Sequence, residues 1–171
     1  MDKLAQITRI TGLGMVTIRA DLPRMGEALA ESVGLPIPDA TQITTDGKRS
    51  LGWMAPDELL LMLPVDQVAD ALILLEQALT GEPGLVVDMS DARVIIDITG
   101  PHTDDVITKL APVDIARTTP GTLRRSRLAQ TAAAFWRIPD GWRVIGFRST
   151  ADYLTTILHN AAAPGTELAP R

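Results

Sequence analysis

Apolar and polar positions alternate over residues 15–20, where Val16 and Ile18 are set against Thr17 and Arg19, and this period predicts a strand with one buried face. Asp21-Leu22-Pro23 follows, a capping-type residue with proline in the first helical turn. Met25, Ala28, Leu29 and Val33 then fall at helical spacing until Gly34 stops the run. A polar loop with Pro36 and Pro38 leads to residues 42–45, and the tight turn Asp46-Gly47 predicts a return strand over 49–54. Pro56-Asp57 marks the next turn, before the apolar strand 58–63. Val65, Val68, Leu72, Leu75 and Leu79 form a helical stripe, which Ile73 and Leu74 widen enough to predict cover on more than one side. Residues 84–89 supply another strand.

The pattern then repeats. Residues 93–98 read as a strand, Thr99-Gly100-Pro101 as a capped turn, and Val106, Ile107 and Leu110 as the inner face of a helix. After an irregular arm rich in threonine, proline and glycine, residues 127–138 read as one long strand. Pro139-Asp140-Gly141 is its turn and 142–147 its partner, and Tyr153, Leu154, Ile157 and Leu158 complete a last helix. Trp53-Met54-Ala55-Pro56-Asp57 recurs as Trp136-Arg137-Ile138-Pro139-Asp140. At a slightly shorter offset, Val16, Ile18, Asp21, Pro23, Leu29, Leu35 and Ile37 match Val94, Ile96, Thr99, Pro101, Ile107, Val113 and Ile115. An insertion near residues 118–122 reconciles the two offsets.

The expected fold class is therefore α+β: two tandem β-α-β-β-α repeats of ferredoxin-like, split β-α-β type, sharing a core, with helices on one side of an antiparallel sheet. The repeats are placed at 15–89 and 90–161, with 1–14 and 162–171 as flexible termini. Trp53 and Trp136 are expected in equivalent places, each anchoring its own hairpin, and Asp21 and Thr99 at helix starts.

Charge adds a second lead. The formal net charge of −5 argues against a nucleic-acid partner. Yet Arg117, Arg124, Arg125, Arg127, Arg137, Arg143 and Arg148 crowd one window against Asp140 alone. Arginine makes planar, multidentate contacts with carboxylates and phosphates. Arg124, Arg125 and Arg127 are the candidate partner-binding residues, the alternative being a solvated face.

Candidates for chemistry are few. The chain has no cysteine, which removes disulfides, thiolate metal sites and cysteine nucleophiles and fits a cytoplasmic protein. No stretch approaches the roughly 18 consecutive apolar residues of a membrane span, so no membrane partner is expected. Gly12-Leu13-Gly14 resembles the start of a dinucleotide loop, but Thr17 stands at the third glycine position and the segment precedes a strand. Asp88 and Asp91 flank a strand-to-strand turn and read as turn formers. His102 reads as a helix-start residue and His159 as a cation near a helix C-terminus. No catalytic, cofactor-binding or metal-ligating residue is assigned.

The segments Gly52-Trp53-Met54-Ala55-Pro56-Asp57-Glu58-Leu59-Leu60-Leu61, Val87-Asp88-Met89-Ser90, Ile98-Thr99-Gly100-Pro101, Arg127-Leu128-Ala129-Gln130-Thr131 and Arg148-Ser149-Thr150-Ala151-Asp152-Tyr153-Leu154 together resemble the gamma subunit of heterotetrameric sarcosine oxidase, from about residue 15 to 159. More distantly, the Thr-Gly-Pro turn and the duplicated layout resemble the folate-binding domains of the glycine-cleavage T protein. The resemblance implies an accessory subunit, inactive alone, in an assembly that oxidatively demethylates sarcosine to glycine. It further implies docking on the large alpha subunit and, through it, association with beta and delta. Flavins, NAD and tetrahydrofolate are then expected in those partner subunits and none in this chain. Two other readings stay open: a free-standing folate-binding protein, which needs a concave pocket with a carboxylate placed for the pterin, and a homo-oligomeric interaction module.

Overall fold

A computed structural model describes residues 3–168. It divides into two units, Gly12–Asp91 and a second that joins the residues up to Thr11 to those from Ala92 onward. In chain order the elements are β1 (Gln6–Ile10), β2 (Leu13–Ala20), α1 (Leu22–Val33), β3 (Ile43–Thr45), β4 (Ser50–Ala55), β5 (Glu58–Pro64), α2 (Val68–Ala78), β6 (Gly84–Asp88), β7 (Arg93–Thr99), α3 (Thr103–Leu110), β8 (Arg124–Leu128), β9 (Thr131–Ile138), β10 (Gly141–Phe147) and α4 (Ala151–Ala161). None of the described helices is long and apolar enough to cross a membrane.

In the Gly12–Asp91 unit the strands lie in the order β3-β4-β5-β2-β6, all antiparallel. The period-2 pattern of β2 sends Val16, Ile18 and Ala20 to one face, where Leu59, Leu61 and Leu63 of β5 join them under Met25, Leu29 and Val33 of α1 and Val68 and Leu75 of α2. Each fully buried leucine there contributes about 1.5–3 kcal/mol relative to exposure. The start of α1 is set by Asp21, whose Oδ1 accepts from the Arg24 N–H at 3.3 Å. Its end is set by Gly34 at φ 67, a left-handed cap that glycine adopts without a Cβ penalty. The widened stripe of α2 is only half covered: Ile73 and Leu74 are 53% and 48% exposed, because the helix packs on the sheet through Val68 and Leu75 alone among its fully buried residues.

The second unit repeats this plan with the order β8-β9-β10-β7-β1. Ile96, Ile98, Phe135, Trp142 and Val144 line the sheet beneath Val106 and Ile107 of α3 and Leu154 and Leu158 of α4. By position, β8 corresponds to β3, β9 to β4, β10 to β5, β7 to β2 and β1 to β6. Each unit thus shows α+β architecture with an antiparallel sheet and both helices on one face, and a three-stranded meander stands between the helices.

Several sequence expectations are corrected. Part of the N-terminal stretch assigned to a flexible tail is β1, which pairs with β7 from Gln6↔Thr99 to Ile10↔Ile95 and packs Ile7 against the core. This strand completes the edge that β6 fills in the other unit. The start of the C-terminal tail is tied down as well: the Leu4 N–H donates to the Ala162 carbonyl at 3.0 Å, and the Thr166 hydroxyl to the Ala161 carbonyl at 3.0 Å. Residues 1–2 and 169–171 of the two expected tails lie outside the described residues. The long strand 127–138 is broken into β8 and β9 at Ala129, whose φ of 50 and N–H bond to the Leu110 carbonyl at 2.7 Å turn the chain. Thr99 ends β7 instead of starting a helix; α3 is capped by His102, whose side chain makes no capping bond.

Trp53 and Trp136 also part company. The β4–β5 register shifts between Trp53 and Ala55, so Met54 occupies a bulge and Trp53 stands opposite Leu59 on the helix side. No such slip occurs in β9, where Trp136 stands opposite Arg143 on the face away from the helices. One extra residue moves a side chain to the other face.

Candidate partner-docking surface

Three of the seven arginines in the window find a carboxylate inside the second unit. Arg143 on β10 faces Asp97 on β7 across a paired position and donates twice, Nε at 2.7 Å and Nη2 at 2.8 Å. Arg137 on β9 donates through Nη1 and Nη2 to the two oxygens of Asp104 in the first turn of α3, both at 2.9 Å. Its Nε donates to the Thr118 carbonyl at 2.8 Å, so the same guanidinium pins the arm that leads into β8. The buried Trp142 indole donates to Asp104 Oδ1 at 2.8 Å, lies 4.4 Å beneath the Arg137 guanidinium and meets Phe135 edge-on at 6.0 Å. Partial burial raises the Asp104 pKa, but the Arg137 hydrogen bonds, the indole hydrogen bond and the Arg137 charge outweigh it and hold the carboxyl below its ordinary value. This network was not read from the sequence, because Asp104 lies more than thirty residues before Arg137 and Trp142 and shares no periodic signal with them.

Arg117 lies 3.5 Å from Asp114, and Arg125 and Arg148 are engaged as well. Arg124 and Arg127 differ. Their guanidinium groups make no hydrogen bond or ion pair among the described residues, and the Arg124 Nε is buried without an acceptor. Both lie on β8, which among the described residues pairs only with β9 and forms one edge of its sheet. Arg127 and Arg125 are exposed on the face opposite the helices, whereas Arg124 is half-buried on the side of Leu128. The three candidate partner-binding residues therefore sit on one edge strand.

The other residues singled out in the sequence have local roles. Asp88 accepts from the Ser90 N–H at 2.8 Å and the Ser90 hydroxyl at 2.5 Å, as a turn former does. His159 lies in the last turn of α4. It borders an open pocket of about 620 Å³ with Lys3, Gln6 and the Thr99-Gly100-Pro101 turn, and among the described residues no carboxylate lines that pocket. Among the described residues no cluster of histidine, aspartate or glutamate is placed to hold a metal ion.

Residues 19–164 match the family described as "Sarcosine oxidase, gamma subunit family". The chain is 34% identical over 115 residues to the sarcosine oxidase subunit gamma of Corynebacterium sp. (strain P-1), an alignment that covers 64% of this chain and 55% of that protein. It is 27% identical over 169 residues to the sarcosine oxidase subunit gamma of an Arthrobacter species, covering 94% of this chain and 82% of that one. Among solved structures, the heterotetrameric sarcosine oxidase from Corynebacterium sp. U-96, in complex with pyrrole 2-carboxylate, contains a similar chain. The TM-score is 0.88 at 24% identity, over 98% of this chain and 88% of that one. The glycine cleavage system aminomethyltransferase T from Bartonella henselae is similar at TM-score 0.69 and 14% identity, over 90% of this chain and 45% of that one. These two likenesses concern the fold.

Proposed function

The chain belongs to the sarcosine oxidase gamma-subunit family, and from that premise we propose that it is a non-catalytic accessory subunit of a heterotetrameric sarcosine oxidase. The observation that carries this reading is the family match, which runs over residues 19–164 and so takes in both units. In the assembly, sarcosine loses its N-methyl group oxidatively to give glycine, and the flavins, NAD and tetrahydrofolate reside in the partner subunits. This chain supplies a docking surface. Asp104 and Asp46, two carboxyls held below their ordinary pKa values, are committed to hydrogen bonds within the fold, one to Arg137 and Trp142 and the other to the Lys48 and Arg49 backbone. That commitment supports a structural part for both of them.

The large alpha subunit is the proposed direct partner, with beta and delta reached through it, and the β8 arginines form part of the contact. Arg124 and Arg127 have donors to spare, and a carboxylate-bearing surface satisfies them by planar, paired hydrogen bonds. Co-expression with the alpha subunit tests the reading. A complex that survives purification at low salt and dissociates as salt is raised is expected, because the Debye length falls to about 3 Å at 1 M ionic strength. Sarcosine turnover by the purified chain alone, or flavin absorbance in equal amount to it, would remove the accessory role.

A further inference from the structure

We propose that β8 is a strand-addition site, whose open edge takes an extended acidic segment of a partner subunit. The inference rests on the docking role proposed above and specifies its geometry and chemistry. An edge strand leaves the backbone N–H and C=O groups of alternate residues pointing away from the sheet. β8 is in that position, since β9 occupies one side and no strand among the described residues occupies the other. Main-chain pairing supplies affinity in such a joint and side chains supply the choice of partner.

The side chains of β8 ask for carboxylates. Arg137, Arg143 and Arg117 have found theirs in Asp104, Asp97 and Asp114, but Arg124 and Arg127 have none among the described residues. The Arg124 Nε is buried with its proton unpaired, an arrangement that costs free energy until an acceptor arrives. Arg124 and Arg127 lie on opposite faces of β8. An added strand therefore satisfies both with two acidic residues, three positions apart and on opposite faces, each directly across from its arginine.

The duplicated fold provides an internal control. β3 holds the corresponding edge of the Gly12–Asp91 unit and reads Ile43-Thr44-Thr45, with no charged residue. The architecture does not itself demand a basic edge. Arginines can also guard an edge against aggregation, but a guard works by projecting its charge into water. Arg124 instead keeps its Nε buried.

The test uses the full chain co-expressed with the alpha subunit, compared with the chain alone by hydrogen–deuterium exchange. Strand addition slows exchange in the peptide spanning 124–128 by about tenfold or more on assembly, with 43–45 unchanged as the reference edge. The R124Q/R127Q double variant weakens association by about tenfold or more and loses part of the salt dependence, with its melting temperature unchanged. R124K/R127K, which keeps the charge but not the planar donor pair, weakens it less. If the variant fails to fold, exchange in the wild-type complex still decides. A complex in which 124–128 exchanges as fast as in the free chain overturns strand addition and leaves the docking role standing, even if the arginine variants bind weakly. Failure of the wild-type chain to form any complex overturns the docking role itself.

Discussion

Replacing Asp104 by alanine removes the one acceptor shared by Arg137 and Trp142, and its consequences can be worked from their environments. The Asp104 side chain is 49% exposed and that of Arg137 26%, so water recovers much of the ion pair, which is worth about 1 kcal/mol on that account. Trp142 is fully buried, and a buried N–H left without an acceptor costs about 1–3 kcal/mol. The expected loss is thus about 2–4 kcal/mol. For a chain of this size that corresponds to a fall in melting temperature of roughly 5–15 °C. D104N retains an oxygen for the indole but not the charge, and its cost is about 1 kcal/mol. The sign of the pH dependence follows from the lowered acidity of the folded state. The ionised carboxylate's contribution is present above the unfolded value near 4 and is lost as pH falls through the lower folded value. Urea unfolding followed by tryptophan fluorescence at pH 7 and at pH 3.5 therefore shows a gap between wild type and D104N that narrows in acid. A D104A variant within about 0.5 kcal/mol of wild type, or a gap that does not change with pH, refutes this account of the network.

Trp142→Ala costs about 3–5 kcal/mol in a thermal or urea melt, whereas Trp53→Ala costs less, because Trp142 is fully buried and Trp53 only half-buried. Gly141→Ala is strongly destabilising in the same assay, since φ is 150 there and a Cβ meets the Ile98 carbonyl oxygen; Gly47→Ala, with open space around its Cβ, shows only the cost of its φ of 91. The Asp46 carboxyl is expected to titrate at about 2 when followed by NMR, held down first by the Arg49 backbone N–H and then by that of Lys48. Its contribution to the β3–β4 turn is present above pH 4 or so and disappears toward pH 2.

The periodic features of the fold were legible along the chain. Alternation in residues 15–20 gave β2, the repeat of that pattern at 93–98 gave β7, helical spacing gave the four helices, and the recurrence around Trp53 and Trp136 gave the duplication. What escaped depended on partners far away in sequence. β1 is short and half polar, and only its pairing with β7 makes it a strand. A bulge at Met54 leaves no mark in composition, yet it puts Trp53 on the opposite face from Trp136. The break at Ala129 needed a positive φ that alanine does not advertise. The arginine window was visible as a cluster, but composition could not tell Arg137 and Arg143, which topology brings to Asp104 and Asp97, from Arg124 and Arg127, which it leaves on an open edge.

The central claim is tested most directly by sarcosine oxidation assayed side by side for the purified chain, for the larger subunits expressed without it, and for all of them co-expressed. The account predicts no turnover and no flavin absorbance from the chain alone, and a complex from co-expression that contains it in fixed proportion and oxidises sarcosine. Turnover by the chain alone, or co-expressed subunits that assemble and work while this chain elutes separately at low salt, contradicts it.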